Sequence, residues 1–203
     1  MNLVGVTPPA PAPRPDSSPE PDRASPSPGP GSLRLVVMGV AGAGKTLIGR
    51  GLARRLGGEF VDADDLHPAA NVTKMRAGQP LTDDDRWPWL DLCGRRLADA
   101  ATGRRTLVLA CSALRRAYRD RLRHAMPTAD RRLCVVYLNL DPATAADRVG
   151  GRSGHYMPAS LIDSQFATLE PPDPAAEPDV IVVDARLDPA TIMGRVRQAL
   201  VGA

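Results

Sequence analysis

The chain has 203 residues, is 43% hydrophobic and 24% charged, and carries a formal net charge of +3. That excess is too mild to argue for a nucleic-acid partner, and no run approaches the ~18 to 20 uninterrupted apolar residues of a membrane span. Three cysteines, none paired at metal-ligand spacing, support neither a disulfide framework nor a zinc site.

Ten of the 21 prolines fall within the first 30 positions, in a stretch almost free of large apolar residues. Such a segment cannot bury enough surface to offset its ordering entropy, so residues 1–31 are expected to form a disordered tail. It lacks the charged-then-apolar order of a signal peptide, and a cytoplasmic protein is the expectation. Residues 32–203 fit one globular domain.

Within that domain, LRLVVM at 33–38 reads as a buried parallel strand, and KTLIGRGLARRL at 45–56 as an amphipathic helix stopped by Gly57-Gly58. EFVD begins a second strand that runs into the acids Asp62, Asp64 and Asp65. A short helix over 68–79 follows, and then a longer one for which Thr82 is the candidate N-cap. TLVLAC at 106–111, LCVVYLNL at 133–140 and DVIVVDA at 179–185 are the remaining strands. Helices are expected from about 113 to 126, from Asp141-Pro142, over 159–169 and from Asp188-Pro189. Strands alternating with helices throughout predict an α/β fold in three layers, a five-stranded parallel sheet covered on both faces.

The first strand–helix junction reads Gly39-Val40-Ala41-Gly42-Ala43-Gly44-Lys45-Thr46, a full match to the nucleotide-binding P-loop in its required context. Glycines let backbone N–H groups turn inward around phosphate oxygens, and the helix N-terminus adds a favourable dipole. Lys45 is expected to reach the β- and γ-phosphates, and the Thr46 hydroxyl to ligate Mg²⁺. A GTPase would carry an Asn-Lys-x-Asp motif, and no Asn-Lys pair exists. Strand three ends in Cys111-Ser112, where a Walker-B ATPase would place an acid. The carboxylates stand instead at the end of strand two, at the carboxyl edge of the sheet that also holds the P-loop. This suits a small-molecule kinase, with one carboxylate supporting the metal and another receiving the acceptor hydroxyl; Asp65 is read as structural.

The candidate acceptor groups are basic: Lys74, Arg86, Arg115, Arg116 and Arg119, with His67 beside the acids. Of the 26 basic residues only Lys45 and Lys74 are lysines, a small hint that a compact ammonium matters at each. Arg115 and Arg119 are expected one turn apart on a helix, projecting together toward the catalytic edge. Several cations beside a phosphate site suggest an anionic acceptor, and bidentate arginines suit a carboxylate.

Three blocks, VDADDLHPAANVTKMRAGQPLTDDDRWPWL, ACSALRRAYRDRLR and GGRSGHYMPASLIDSQFATLEPP, closely resemble the bacterial gluconokinase family over about residues 34–185. The resemblance implies a fold similar to adenylate and shikimate kinases, with a mobile lid at about 149–158. It also implies a homodimer and phosphorylation of the 6-hydroxyl of D-gluconate with ATP and Mg²⁺. Carried onto this sequence, Asp64 would accept or orient the sugar hydroxyl and Asp62 would support Mg²⁺. His67, Lys74, Arg86, Arg115 and Arg119 would line the gluconate pocket, with Gln165 a further contact. Arg148 and Arg152 fall before and in the lid, where a guanidinium would stabilise the transferring phosphoryl group.

The sequence departs from the family pattern at three points. Thr46 carries the metal role alone where Ser-Thr often follows the lysine, Arg115 stands where Lys is usual, and ARLDP follows Asp184 in place of an acidic turn. The alternatives are a related kinase for another small acid such as shikimate, and a nucleotide-binding regulatory module without turnover.

Overall fold

The computed structural model describes residues 32–127, 132–151 and 159–201. Five strands, β1 (Arg34–Met38), β2 (Glu59–Asp62), β3 (Leu107–Ala110), β4 (Leu133–Asn139) and β5 (Val180–Asp184), form one parallel sheet in the order β2-β3-β1-β4-β5. The helices are α1 (Lys45–Leu56), α2 (Ala69–Arg76), α3 (Asp83–Thr102), α4 (Arg116–His124), α5 (Pro142–Gly150), α6 (Ala159–Thr168) and α7 (Pro189–Val201). A single 3₁₀ turn spans Ala63–Leu66. The predicted three-layer α/β fold is the one observed. The predicted tail 1–31 and most of the predicted lid lie outside the described residues; α5 ends at Gly150, with Gly151 as its cap.

Because β1 is central and covered on both faces, all five of its residues are buried, including Arg34. Alternate side chains feed two cores. Val36 and Met38 join Leu107, Leu109, Val135 and Tyr137 beneath α3 and α4, where Trp89, Leu90, Leu97, Tyr118 and Leu122 pack. Leu35 and Val37 join Val108, Val136 and Leu138 beneath α1, α5 and α7, against Ile48, Leu52, Ala145, Ile192 and Val196. The period of two along a doubly covered strand makes near-continuous apolar runs of these segments.

Caps set the helix starts. The Thr82 side chain accepts a hydrogen bond from the Asp85 N–H, and the Asp85 carboxylate accepts one from the Thr82 N–H, a reciprocal capping box at the head of α3. Asp141 and Asp188 each accept from the N–H of the threonine three residues on, starting α5 and α7. Every β-to-α turn that follows β1, β2 and β3 leaves from the same carboxyl edge, where the functional residues gather.

Candidate active site

The chain leaves β1 at Met38 and enters α1 at Lys45 through residues 39–44. Gly39 takes φ +148°, and a side chain there would come within 2.9 Å of the Leu138 carbonyl oxygen. Gly44, at φ +92° and ψ +19°, occupies the N-cap of α1, and no side chain caps the helix. The first N–H groups of α1 therefore lack a capping side chain and face the cleft with the positive end of the helix dipole. Lys45 folds back over the loop, its Nζ donating to the Val40 carbonyl at 3.2 Å. Thr46 Oγ1 donates to Asp62 Oδ2 at 2.9 Å, joining the start of α1 to the end of β2.

Asp62 holds the next residue of interest through its other oxygen, since Oδ1 accepts from the Asp64 N–H at 3.2 Å. The 3₁₀ turn thus begins with a side-chain cap, which gives Asp62 a structural role. Asp62 is committed to Thr46 and the turn, while Asp64 opens into the cleft beside Lys45. Loss of water around Asp64 raises its carboxyl above the ordinary aspartate range; the Lys45 charge opposes that rise, and Asp62 and Asp65 add to it.

His67 stacks on Trp89, with ring centroids 4.2 Å apart and planes 11° from parallel. Trp89 is itself buried and anchored by its indole N–H on the Ala63 carbonyl at 2.7 Å. Burial, assisted by the Arg86 charge, lowers the His67 imidazole to about 4, so the ring is neutral near pH 7. Arg86 lies over the Tyr118 ring, its guanidinium carbon 5.7 Å from the centroid.

These groups line one cleft of about 570 Å³. Of the residues singled out from the sequence, Ala41 through Thr46, Asp62, Asp64, His67, Arg86, Arg148 and Gln165 all contribute to its wall. Gly39 and Val40 stand behind it and shape the loop. Gln165 reaches the phosphate loop directly, its Oε1 accepting from the Ala41 N–H at 2.7 Å. Arg148 donates to the Gly42 and Ala185 carbonyls at 3.3 and 3.0 Å, bridging the loop to the β5–α7 connection.

Three predicted acceptor residues are placed elsewhere. Arg119 is 1% exposed: its Nε and Nη2 grip both oxygens of the buried Glu177, and its Nη1 donates to the carbonyls of Ala113, Leu114 and Glu170. The expectation that it projects with Arg115 fails because α4 starts at Arg116, leaving Arg115 extended at the N-cap (φ −92°, ψ +150°). Arg115 pairs with Asp83 at 2.6 Å, and Lys74 pairs with Asp85 at 2.6 and 2.8 Å; neither lines the cleft. Arg152 lies outside the described residues.

The cleft also contains residues that the sequence reading passed over. Ser112 lines it from the end of β3; the motif search treated Cys111-Ser112 only as a place where an acid was lacking. Its position at the shared carboxyl edge was the available signal. Met75, Leu81, Leu187, Pro189 and Ile192 also line the cleft. Apolar contacts of that kind carry no local sequence mark. Chemically, the cleft combines anion-receiving N–H groups and an ammonium with hydroxyl and carboxylate oxygens suited to a hard cation. A carboxylate of raised proton affinity and a neutral imidazole stand beside them.

Residues 35–172 match the family model described as AAA domain. The chain is 51% identical over 140 residues to a gluconokinase of Gluconobacter oxydans, covering 68% of this chain and 75% of that protein. It is 42% identical over 169 residues to the thermosensitive gluconokinase of Escherichia coli, covering 81% and 86%. A crystal structure of a gluconokinase from Sinorhizobium meliloti superposes with a TM-score of 0.71 at 44% identity, covering 80% of this chain and 88% of that one.

Proposed function

The chain belongs to the gluconokinase family, and from that premise we infer that it transfers the γ-phosphoryl group of ATP to the 6-hydroxyl of D-gluconate. The observation that carries the reading is the single cleft in which the phosphate loop, the Thr46–Asp62 pair and Asp64 meet. A kinase needs these on one side of the transferring group, with the acceptor on the other.

The residues present fit ATP and Mg²⁺. Thr46 and Asp62 supply two hard oxygen donors within hydrogen-bond distance of each other, beside the backbone N–H groups that would receive phosphate. Mg²⁺ keeps several waters and takes phosphate oxygens, so few protein ligands suffice. The bound ion would neutralise charge on the phosphate oxygens.

This chain's own groups do the rest. Asp64 takes the proton from the acceptor hydroxyl as that oxygen attacks the γ-phosphorus; the bond to the bridging oxygen breaks and ADP departs. Its raised proton affinity suits it to receive a proton that it later releases to water. Lys45 neutralises charge on the transferring group, and Arg148 holds the nucleotide side. His67, Arg86, Ser112 and Gln165 line the same cleft, where in this reading they border the acceptor and the phosphates. Within this reading residues 149–158 act as a lid that brings Arg152 onto the phosphoryl group and excludes water, and residues 1–31 remain a tail outside the kinase domain. The enzyme acts as a cytoplasmic homodimer. No helix among the described residues is long and apolar enough to cross a membrane.

Coupled ADP release with gluconate, shikimate, glycerate and nucleoside monophosphates tests the assignment. Turnover is expected with gluconate well above the others, and equal or absent response to gluconate refutes it.

A further inference from the structure

We infer that Asn71 is a positioning residue that fixes His67 in its Nε2–H tautomer, so that the imidazole meets the acceptor as an uncharged hydrogen-bond donor and never as a base. It deepens the sugar-acid reading and rests on it only for what meets the donor; the tautomer belongs to the protein alone.

Asn71 is 4% exposed, in the first turn of α2. Its side-chain nitrogen lies 2.8 Å from the Asp85 carbonyl oxygen and 3.3 Å from His67 Nδ1. A backbone carbonyl can only accept, so the atom facing it must be the amide NH₂, and the usual ambiguity in orienting an asparagine is removed. One N–H goes to Asp85; the second points to His67 Nδ1. A nitrogen that receives a hydrogen bond carries no proton, which places the proton of the neutral ring on Nε2.

Two other contacts hold the ring. The Trp89 stack fixes its plane, and the interior side is taken by Asn71, leaving Nε2 as the ring nitrogen available to the cleft that His67 lines. Burial, assisted by the Arg86 charge, disfavours the doubly protonated form, whose Nδ1–H would face the Asn71 NH₂ donor. A neutral N–H donor selects for an oxygen lone pair, a hydroxyl or a carboxylate, and it leaves Asp64 as the proton acceptor in this part of the cleft. Asp85 ties the arrangement to the rest of the fold, because its carboxylate binds Lys74 and caps α3 while its carbonyl orients Asn71.

The test is nitrogen-15 NMR of the imidazole rings in the full chain, with His67 assigned by the signal lost in His67→Gln. Protonated Nε2 and bare Nδ1 near neutral pH are expected; a proton on Nδ1 overturns the inference. Asn71→Asp replaces the donor with a carboxylate and should move the proton to Nδ1. Gluconate KM should rise about tenfold, the scale of one neutral hydrogen bond, while ATP KM holds. Unchanged ring signals in that variant also overturn it. If gluconate fails in the ADP-release assay, the substrate named above falls while the ring-nitrogen result stands. A Nδ1 proton in the wild-type chain sinks this inference with gluconate turnover intact.

Discussion

Arg119 is the residue on which charge patterning and structure differ most, and Glu177→Ala separates the two accounts. If Arg119 bound substrate, removing its distant partner would leave it freer to do so. The structure requires the opposite, a loss of stability. The carboxylate takes two hydrogen bonds from Arg119 and one from Arg123, at 2.6 to 2.8 Å, with Arg119 and Glu177 only 1% and 4% exposed. Deleting it strands a buried guanidinium, which costs about 3 to 5 kcal/mol. For a domain of this size that lowers Tm by about 10 °C. Acid titration gives an independent measure. The Arg119 hydrogen bonds, then the one from Arg123, hold the Glu177 carboxyl at about 2, below its ordinary 4.5. Between those values the unfolded chain binds more protons than the folded one, so this stabilisation is complete above pH 4.5 and is lost as the pH falls toward 2. Its size, from a shift of that width at 1.36 kcal/mol per unit, is about 3 kcal/mol. The assay is urea denaturation of wild type and Glu177→Ala at pH 7 and pH 3, with gluconate KM measured on the folded variant. A change below about 1 kcal/mol together with a gluconate KM that is unchanged or lower would refute the structural role.

Two further outcomes follow from the cleft. Asp64→Asn should lower kcat by a factor of about 10² or more with little change in ATP affinity. In the wild type, kcat/KM should fall on the acid side at a pH above the usual aspartate range, because the base must be ionised and burial raises its proton affinity. An acid limb that persists unchanged in Asp64→Asn would show that another group titrates. Thr46→Val, which removes the hydroxyl bonded to Asp62 while keeping the side-chain shape, should raise the Mg²⁺ concentration needed for half-maximal activity; an unaltered Mg²⁺ dependence would exclude Thr46 as a ligand.

The phosphate half of the site was legible because its parts are contiguous: the loop, its strand and its helix sit within residues 34–56, and α1 begins and ends where the glycines predict. The strands could be read because each is a doubly covered apolar run. The Thr82 cap was equally plain, its partner standing three residues away. The acceptor half was harder, because a cation's role depends on which anion reaches it first. Arg119 finds Glu177 58 positions downstream, and Arg115 finds Asp83 32 positions upstream. No local pattern announces such pairings. One helix start misjudged by a few residues was enough to aim two arginines at the wrong place, since Arg115 is extended and Arg119 is buried. His67 lines the cleft, yet its partners Trp89 and Asn71 lie on two different helices and emerge only when α2 and α3 pack.

The hydrogen bond from the Ala41 N–H to Gln165 joins the phosphate loop to α6. One N–H proton serves one strong acceptor. An anion that claims it must displace the carboxamide, so its observed affinity is its intrinsic affinity reduced by the free energy of that displacement. By linkage, anything that draws α6 away from the loop raises anion affinity by the same factor, and anion binding loosens α6 in turn. Gln165 thus makes α6 and a bound anion competitors for a single donor, and the occupancy of the loop is written into the position of a helix more than a hundred residues later in the chain.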